Sequence, residues 1–101
     1  MPVENTTIAR PYAEAVFERA QETDSLDAWT EALEMLAGAV ADPQLAAILS
    51  NPQVERAQGA ELVIDIGGDN LGAEAKNFVR LLAANRRLPV LPEIAALYEV
   101  L

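Results

Sequence analysis

The 101-residue sequence predicts an all-α fold, a compact six-helix bundle, and three observations carry that reading. Cap-then-proline signatures, Asp42-Pro43 and Asn51-Pro52, punctuate the chain where helices would start. Between the breaks, apolar residues recur at helical rather than alternating spacing. The one β-like stretch, Leu62-Val63-Ile64-Asp65-Ile66, is short and has no partner strand. The length fits one domain, and 51% apolar against 23% charged residues is too apolar for disorder.

The elements follow in order. Thr6 or Thr7 caps a first helix that runs to about Glu22, with Pro11 in its early turns. Asp24 or Ser25 caps a second over 26–40. Its stripe of Leu26, Trp29, Leu33, Leu36 and Val40 faces away from Asp27, Glu31 and Glu34, so Trp29 is expected to be buried and structural. Two shorter helices start at the proline signatures, over 43–49 and from about 53 to 65. Gly67-Gly68 breaks the chain, and Asp69 caps a fifth helix whose C-terminal dipole end suits Arg86-Arg87. Leu88-Pro89 ends that helix. Pro92 opens a sixth, with Ile94, Leu97, Tyr98 and Leu101 on one face.

Two helices carry more apolar surface than a bundle helix uses. The first has an arc about 200° wide, through Ala15, Ile8, Tyr12, Val16, Ala9, Ala20, Ala13 and Phe17, broken only by Arg19, where a stripe of about 100° is usual. Either that helix is unusually buried or a second face awaits a partner. The fifth has a core stripe of Leu71, Ala75, Phe78, Val79 and Leu82. Its opposite side carries Ala73, Asn77, Arg80, Leu81 and Ala84. There Leu81 either packs under a loop or faces a partner.

Composition excludes much chemistry. The chain has no cysteine and no histidine, which removes disulfides, thiol catalysis, the commonest general base and most zinc sites. No cofactor or metal is expected. Net charge is −9, which disfavours nucleic acid and an anionic membrane surface as partners. The charge is uneven: residues 1–69 hold 13 acids and 3 bases, and residues 70–101 hold 3 acids and 4 bases. No signal peptide and no membrane span is visible, so no membrane insertion is expected, and the apolar fraction is enough for the isolated domain to be expected as a folded monomer. Asp65-Ile66-Gly67-Gly68-Asp69-Asn70 fails as a calcium loop, because its sixth and twelfth positions are Asn70 and Lys76 rather than Gly and Glu. Asp24-Ser25-Leu26-Asp27 matches the attachment motif of acyl carrier proteins, in which Ser25 would carry phosphopantetheine. Carriers place a long loop before that motif, and a helix N-cap explains the same four residues.

Two further segments resemble one family together. Ala9-Arg10-Pro11-Tyr12-Ala13-Glu14-Ala15-Val16-Phe17 is similar to the opening of the delta subunit of bacterial F-type ATP synthases, whose mitochondrial counterpart is the oligomycin-sensitivity-conferring protein. Asn77-Phe78-Val79-Arg80-Leu81-Leu82-Ala83-Ala84-Asn85-Arg86-Arg87-Leu88, followed by Leu91-Pro92-Glu93-Ile94, resembles that family's fifth-helix signature. Trp29 and the two proline breaks also fall where the family has them. The resemblance implies that residues 1–101 are the six-helix N-terminal domain of a longer, two-domain subunit. It implies a non-catalytic stator role on the cytoplasmic side of the bacterial inner membrane. This domain would bind the N-terminal helix of an alpha subunit in a groove between helices one and five, and the absent C-terminal domain would hold the b subunits. Subtracting the core stripes leaves Ile8, Tyr12, Ala15 and Arg19 on the first helix, with Val16 at the boundary. On the fifth it leaves Asn77, Arg80, Leu81 and Ala84. Tyr12, Arg80 and Leu81 are the expected anchors.

Overall fold

Six α-helices account for most of residues 5–101, the part that the computed structural model describes. They are α1 (Asn5–Glu22), α2 (Leu26–Ala41), α3 (Pro43–Ser50), α4 (Arg56–Gly67), α5 (Ala73–Ala84) and α6 (Leu91–Glu99). Single 3-10 turns at Gly68–Asn70 and Leu88–Val90 precede α5 and α6. The Leu62–Ile66 stretch lies inside α4, as its lack of a partner strand predicts.

The domain measures 39 × 38 × 20 Å, which makes it about two helix diameters thick. α2 is central and packs against α1, α3, α4 and α6, while α4 pairs with α5. α6 lies along both α1 and α2. Leu33, Leu36, Val63, Val79, Leu82, Leu91 and Ile94 are the largest side chains closed off completely. The predicted stripe of α5 is buried throughout, and that of α2 is buried except for Leu26. Trp29 is 7% exposed, as its phase requires.

The helix starts follow local hydrogen bonding. Asp42 caps α3: its Oδ1 accepts from Gln44 N at 2.8 Å and Leu45 N at 3.3 Å, with Pro43 in the first turn. Asn51 makes a similar bond, from Gln53 N to its Oδ1 at 2.9 Å, but Val54 N then closes a tight turn onto Asn51 O. That turn is not continued, and α4 starts at Arg56 rather than near 53, after Glu55. Ser25 precedes α2 without a capping bond from its side chain, and Asp24 sits in the turn before it at φ 53°. Thr6 and Thr7 lie within α1, so the cap expected of them is not theirs. Pro11 is on the exposed side of α1, where water can take up the carbonyl that its missing N–H frees.

The largest departure is the link before α5. Gly68, at φ 54°, ends α4, and Gly68–Asn70 coils into a 3-10 turn that Leu71 N closes onto Gly68 O. Leu71 is thereby driven into the core, where a Cβ on Gly67 would overlap its side chain. α5 therefore starts at Ala73 behind Gly72, and Asp69 caps nothing. It also ends at Ala84, so Arg86 and Arg87 lie in the following link rather than on its last turn. α6 ends at Glu99, which leaves Leu101 largely exposed and off the expected core face.

Candidate partner-binding face between α1 and α5

α1 and α5 belong to different packing pairs, yet side chains tie them together in antiparallel order. Near the end of α1, Arg19 Nε donates to Glu74 Oε1 at 2.8 Å, and its Nη2 approaches the same oxygen to 2.6 Å. Toward the middle of α1, Tyr12 packs edge-on against Phe78, with centroids 6.4 Å apart, and its hydroxyl accepts from Asn85 Nδ2 at 3.2 Å. Phe78 in turn meets Trp29 of α2 at 5.9 Å and a nearly perpendicular angle. An unbroken aromatic chain, Tyr12–Phe78–Trp29, thus runs from this face into the centre of the bundle.

The apolar arc of α1 divides in two. Ala9, Ala13, Val16 and Ala20 are buried, and Phe17 on one flank packs edge-on against Tyr98. On the other flank Ile8 and Tyr12 are half-buried, while Ala15 and Arg19 are exposed. Val16, assigned to the face at its boundary, is a core residue only 4% exposed and offers nothing to a partner in this state.

On α5, Leu81 is 50% exposed, so it does not pack under a loop. It lies seven residues after Glu74 and therefore on the same stripe, beside α1. Asn77 and Ala84 are also exposed. Arg80 points the other way: its Nε donates to Glu61 Oε1 of α4 at 3.2 Å, and its Nη1 donates to Asn77 Oδ1 at 3.1 Å. With Ala84 it lines a hollow between α4 and α5 of about 350 Å³. The structure thus ties Tyr12 and Arg19 of α1 to α5, leaves Leu81 exposed on the stripe of Glu74, and turns Arg80 toward α4.

Sequence reasoning passed over Glu74, Phe78 and Asn85 as parts of this face. One signal was available: Arg19 interrupts an apolar arc and calls for a carboxylate, and Glu74 is the acid on the Leu81 stripe. Glu74, by hydrogen bond and charge, holds the Arg19 guanidinium pKa above its ordinary value, with Glu22 adding to it. Both side chains of the Arg19–Glu74 pair are about half exposed, so the pair fixes geometry more than it stabilises the fold.

Elsewhere, Ser25 Oγ lies 2.6 Å from Thr23 Oγ1 in a link of three residues, which is the helix-start setting rather than the long loop of a carrier. Among the described residues, no group of acids gathers to hold a metal ion. No single helix is long and apolar enough to cross a membrane; α2 and α3 pass such a test only together, across a 78° bend.

Fold and face define a class: a six-helix all-α module in which two outer helices are held side by side by their side chains. More particularly, the chain belongs to the ATP synthase delta (OSCP) subunit family, which residues 8–101 match. It is 52% identical to the ATP synthase subunit delta of Alkalilimnicola ehrlichii over 95% of this chain and 54% of that protein. The subunit delta of Thioalkalivibrio sulfidiphilus is 49% identical and that of Nitrosococcus oceani 46%, each over 97% of this chain and 55% of the relative. The chain spans about half the length of these curated relatives. This membership takes the place of the carrier reading of Ser25.

Proposed function

We propose that the chain is the N-terminal domain of the delta subunit of an F-type ATP synthase, a stator part without an active site of its own. In this reading the α1–α5 face takes the amphipathic N-terminal helix of an alpha subunit at the top of the catalytic head. The rest of the subunit grips the b subunits of the peripheral stalk, and the assembly sits on the cytoplasmic side of the bacterial inner membrane. The domain transfers no group; it resists the torque that rotation puts on the head.

The observation that carries the docking is Leu81, a large apolar side chain half exposed on the stripe of α5 that starts at Glu74, where side chains tether α5 to α1. Helix-in-groove recognition uses apolar anchors at such spacings, and small residues such as Ala15 let the partner backbone approach. Tyr12 and Leu81 are the anchors. Arg80 joins them only by leaving Glu61.

The test is titration of the chain with a synthetic alpha N-terminal helix, read by Trp29 emission, since Trp29 is the only indole and connects to Tyr12 through Phe78. Ala15→Asp and Leu81→Ala should weaken binding with circular dichroism unchanged. Ala84→Asp reports whether the helix reaches the α4 side. If all three variants stay folded and bind like the parent, the docking site lies elsewhere.

A further inference from the structure

Away from the α1–α5 face, a cleft of about 320 Å³ opens where the end of α3, the start of α4 and the α5–α6 link meet. Its wall carries two guanidinium-bearing residues, Arg56 and Arg86, with Ser50 and Asn51 beside them. Two arginines at one cleft run against the composition of a chain with 16 acids and 7 bases. The carboxylate on this wall is Glu55, at the N-cap of α4. Arg56 Nη1 donates to Ala84 O at 2.8 Å, which pins its head across to the end of α5, and among the described residues no carboxylate pairs with it.

Arg86 is the telling residue. The end of α5 closes with Arg87 N on Leu82 O at 2.7 Å and Arg86 N on Ala83 O at 3.1 Å, which places Arg86 in the left-handed position that glycine normally takes. Its φ is 58°. α1 ends in the same way with Asp24 in that position, but a short polar side chain tolerates it far better than a long one. The helix end sets the backbone, but no side-chain bond compensates the strain of an arginine there: among the described residues, arginine side-chain bonds come from Arg19, Arg56 and Arg80. An arginine in a strained position whose side chain makes no hydrogen bond among the described residues, on the wall of a cleft, points to a ligand.

We propose that this cleft binds a small oxyanion, a phosphate or carboxylate group carried on an apolar body. Arg86 and Arg56 grip the oxyanion through charge-assisted hydrogen bonds, and Leu49, Val54 and Leu88 cover the apolar part. The volume suits a ligand of that size. The site is separate from the proposed alpha-helix face, so each can fail without the other.

The test is a backbone-amide NMR titration of the chain with phenyl phosphate, inorganic phosphate and benzoate, at constant ionic strength in chloride. Saturable shifts are expected at Ser50, Gly59 and Arg86, with phenyl phosphate tighter than inorganic phosphate. Comparison of benzoate with phenyl phosphate assigns the oxyanion as carboxylate or phosphate. Arg86→Gly relieves the backbone strain, so it should raise the melting temperature while weakening binding about ten- to a hundredfold. Arg10→Gln, which removes a charge elsewhere, should bind as the parent does. Absence of saturable shifts, full affinity in Arg86→Gly, or an equal loss in Arg10→Gln would overturn the proposal.

Discussion

The centre of the disc, where α2 meets α6, and its edge, where α1 meets α5, are held together by different physics. At the centre, Leu33, Leu36, Leu91 and Ile94 are closed off from water where α2 packs on α6, so the contact rests on buried apolar area. At the edge, a salt bridge, an edge-on ring pair and one hydroxyl bond hold two helices whose backbones pack mainly on other partners. Burial resists change in proportion to area, whereas a few exposed polar bonds break at little cost. The proposed docking of another helix falls at the second kind of contact.

Substitutions sharpen this contrast. Trp29→Ala empties the space between α2 and Phe78 and should destabilise the domain by about 3–5 kcal/mol in urea unfolding; a variant that kept its stability but lost peptide binding would move Trp29 from the centre to the face. Gly67→Ala sets a Cβ within 2.6 Å of Leu71 Cγ and should cost roughly 1–3 kcal/mol by the same measurement, since Leu71 is buried and its whole side chain must shift. Asp42→Ala removes the two capping bonds of α3 and should cost about 1 kcal/mol. At the edge, Glu74→Gln should change stability by less than about 1 kcal/mol; a larger loss would show that the edge is built like the centre. Leu81→Ala should leave the melting temperature within about 1 °C, because so much of that side chain is already in water, and its effect should appear only as weaker binding of the alpha helix.

Legibility in the sequence follows the same division. The six helices, their order and the stripes on α2 and α5 could be read because burial imposes a helical period on apolar residues. The first turn of α3 was legible from Asp42-Pro43 for a local reason, a side chain reaching two residues along its own backbone. The start of α5 was not, because it is decided by Leu71 seeking the core past Gly67, a tertiary contact that overrides a good capping residue at Asp69. The face was half legible. An over-wide arc and a stray leucine single out α1 and α5 as candidates, yet the direction taken by Arg80 depends on Glu61, which only the pairing of α4 with α5 brings near. Val16 shows the limit of phase arguments at a boundary, where a few degrees of helix rotation decide between core and surface.

The packing of α1 along α6 also bears on how the chain reaches this state. α1 has its main neighbour in α6, far along the chain, so its buried side, Ala9, Ala13, Val16 and Ala20, lacks that cover until residues near 99 have been made. Short links let α2 through α5 pair as they appear, a local process that is fast for helical chains. Closing the ring is the slow, non-local step, and it comes last. A nascent chain halted before Leu91 would carry α1 with its apolar side bare, the kind of surface that holdase chaperones shield and that quality-control proteases find first.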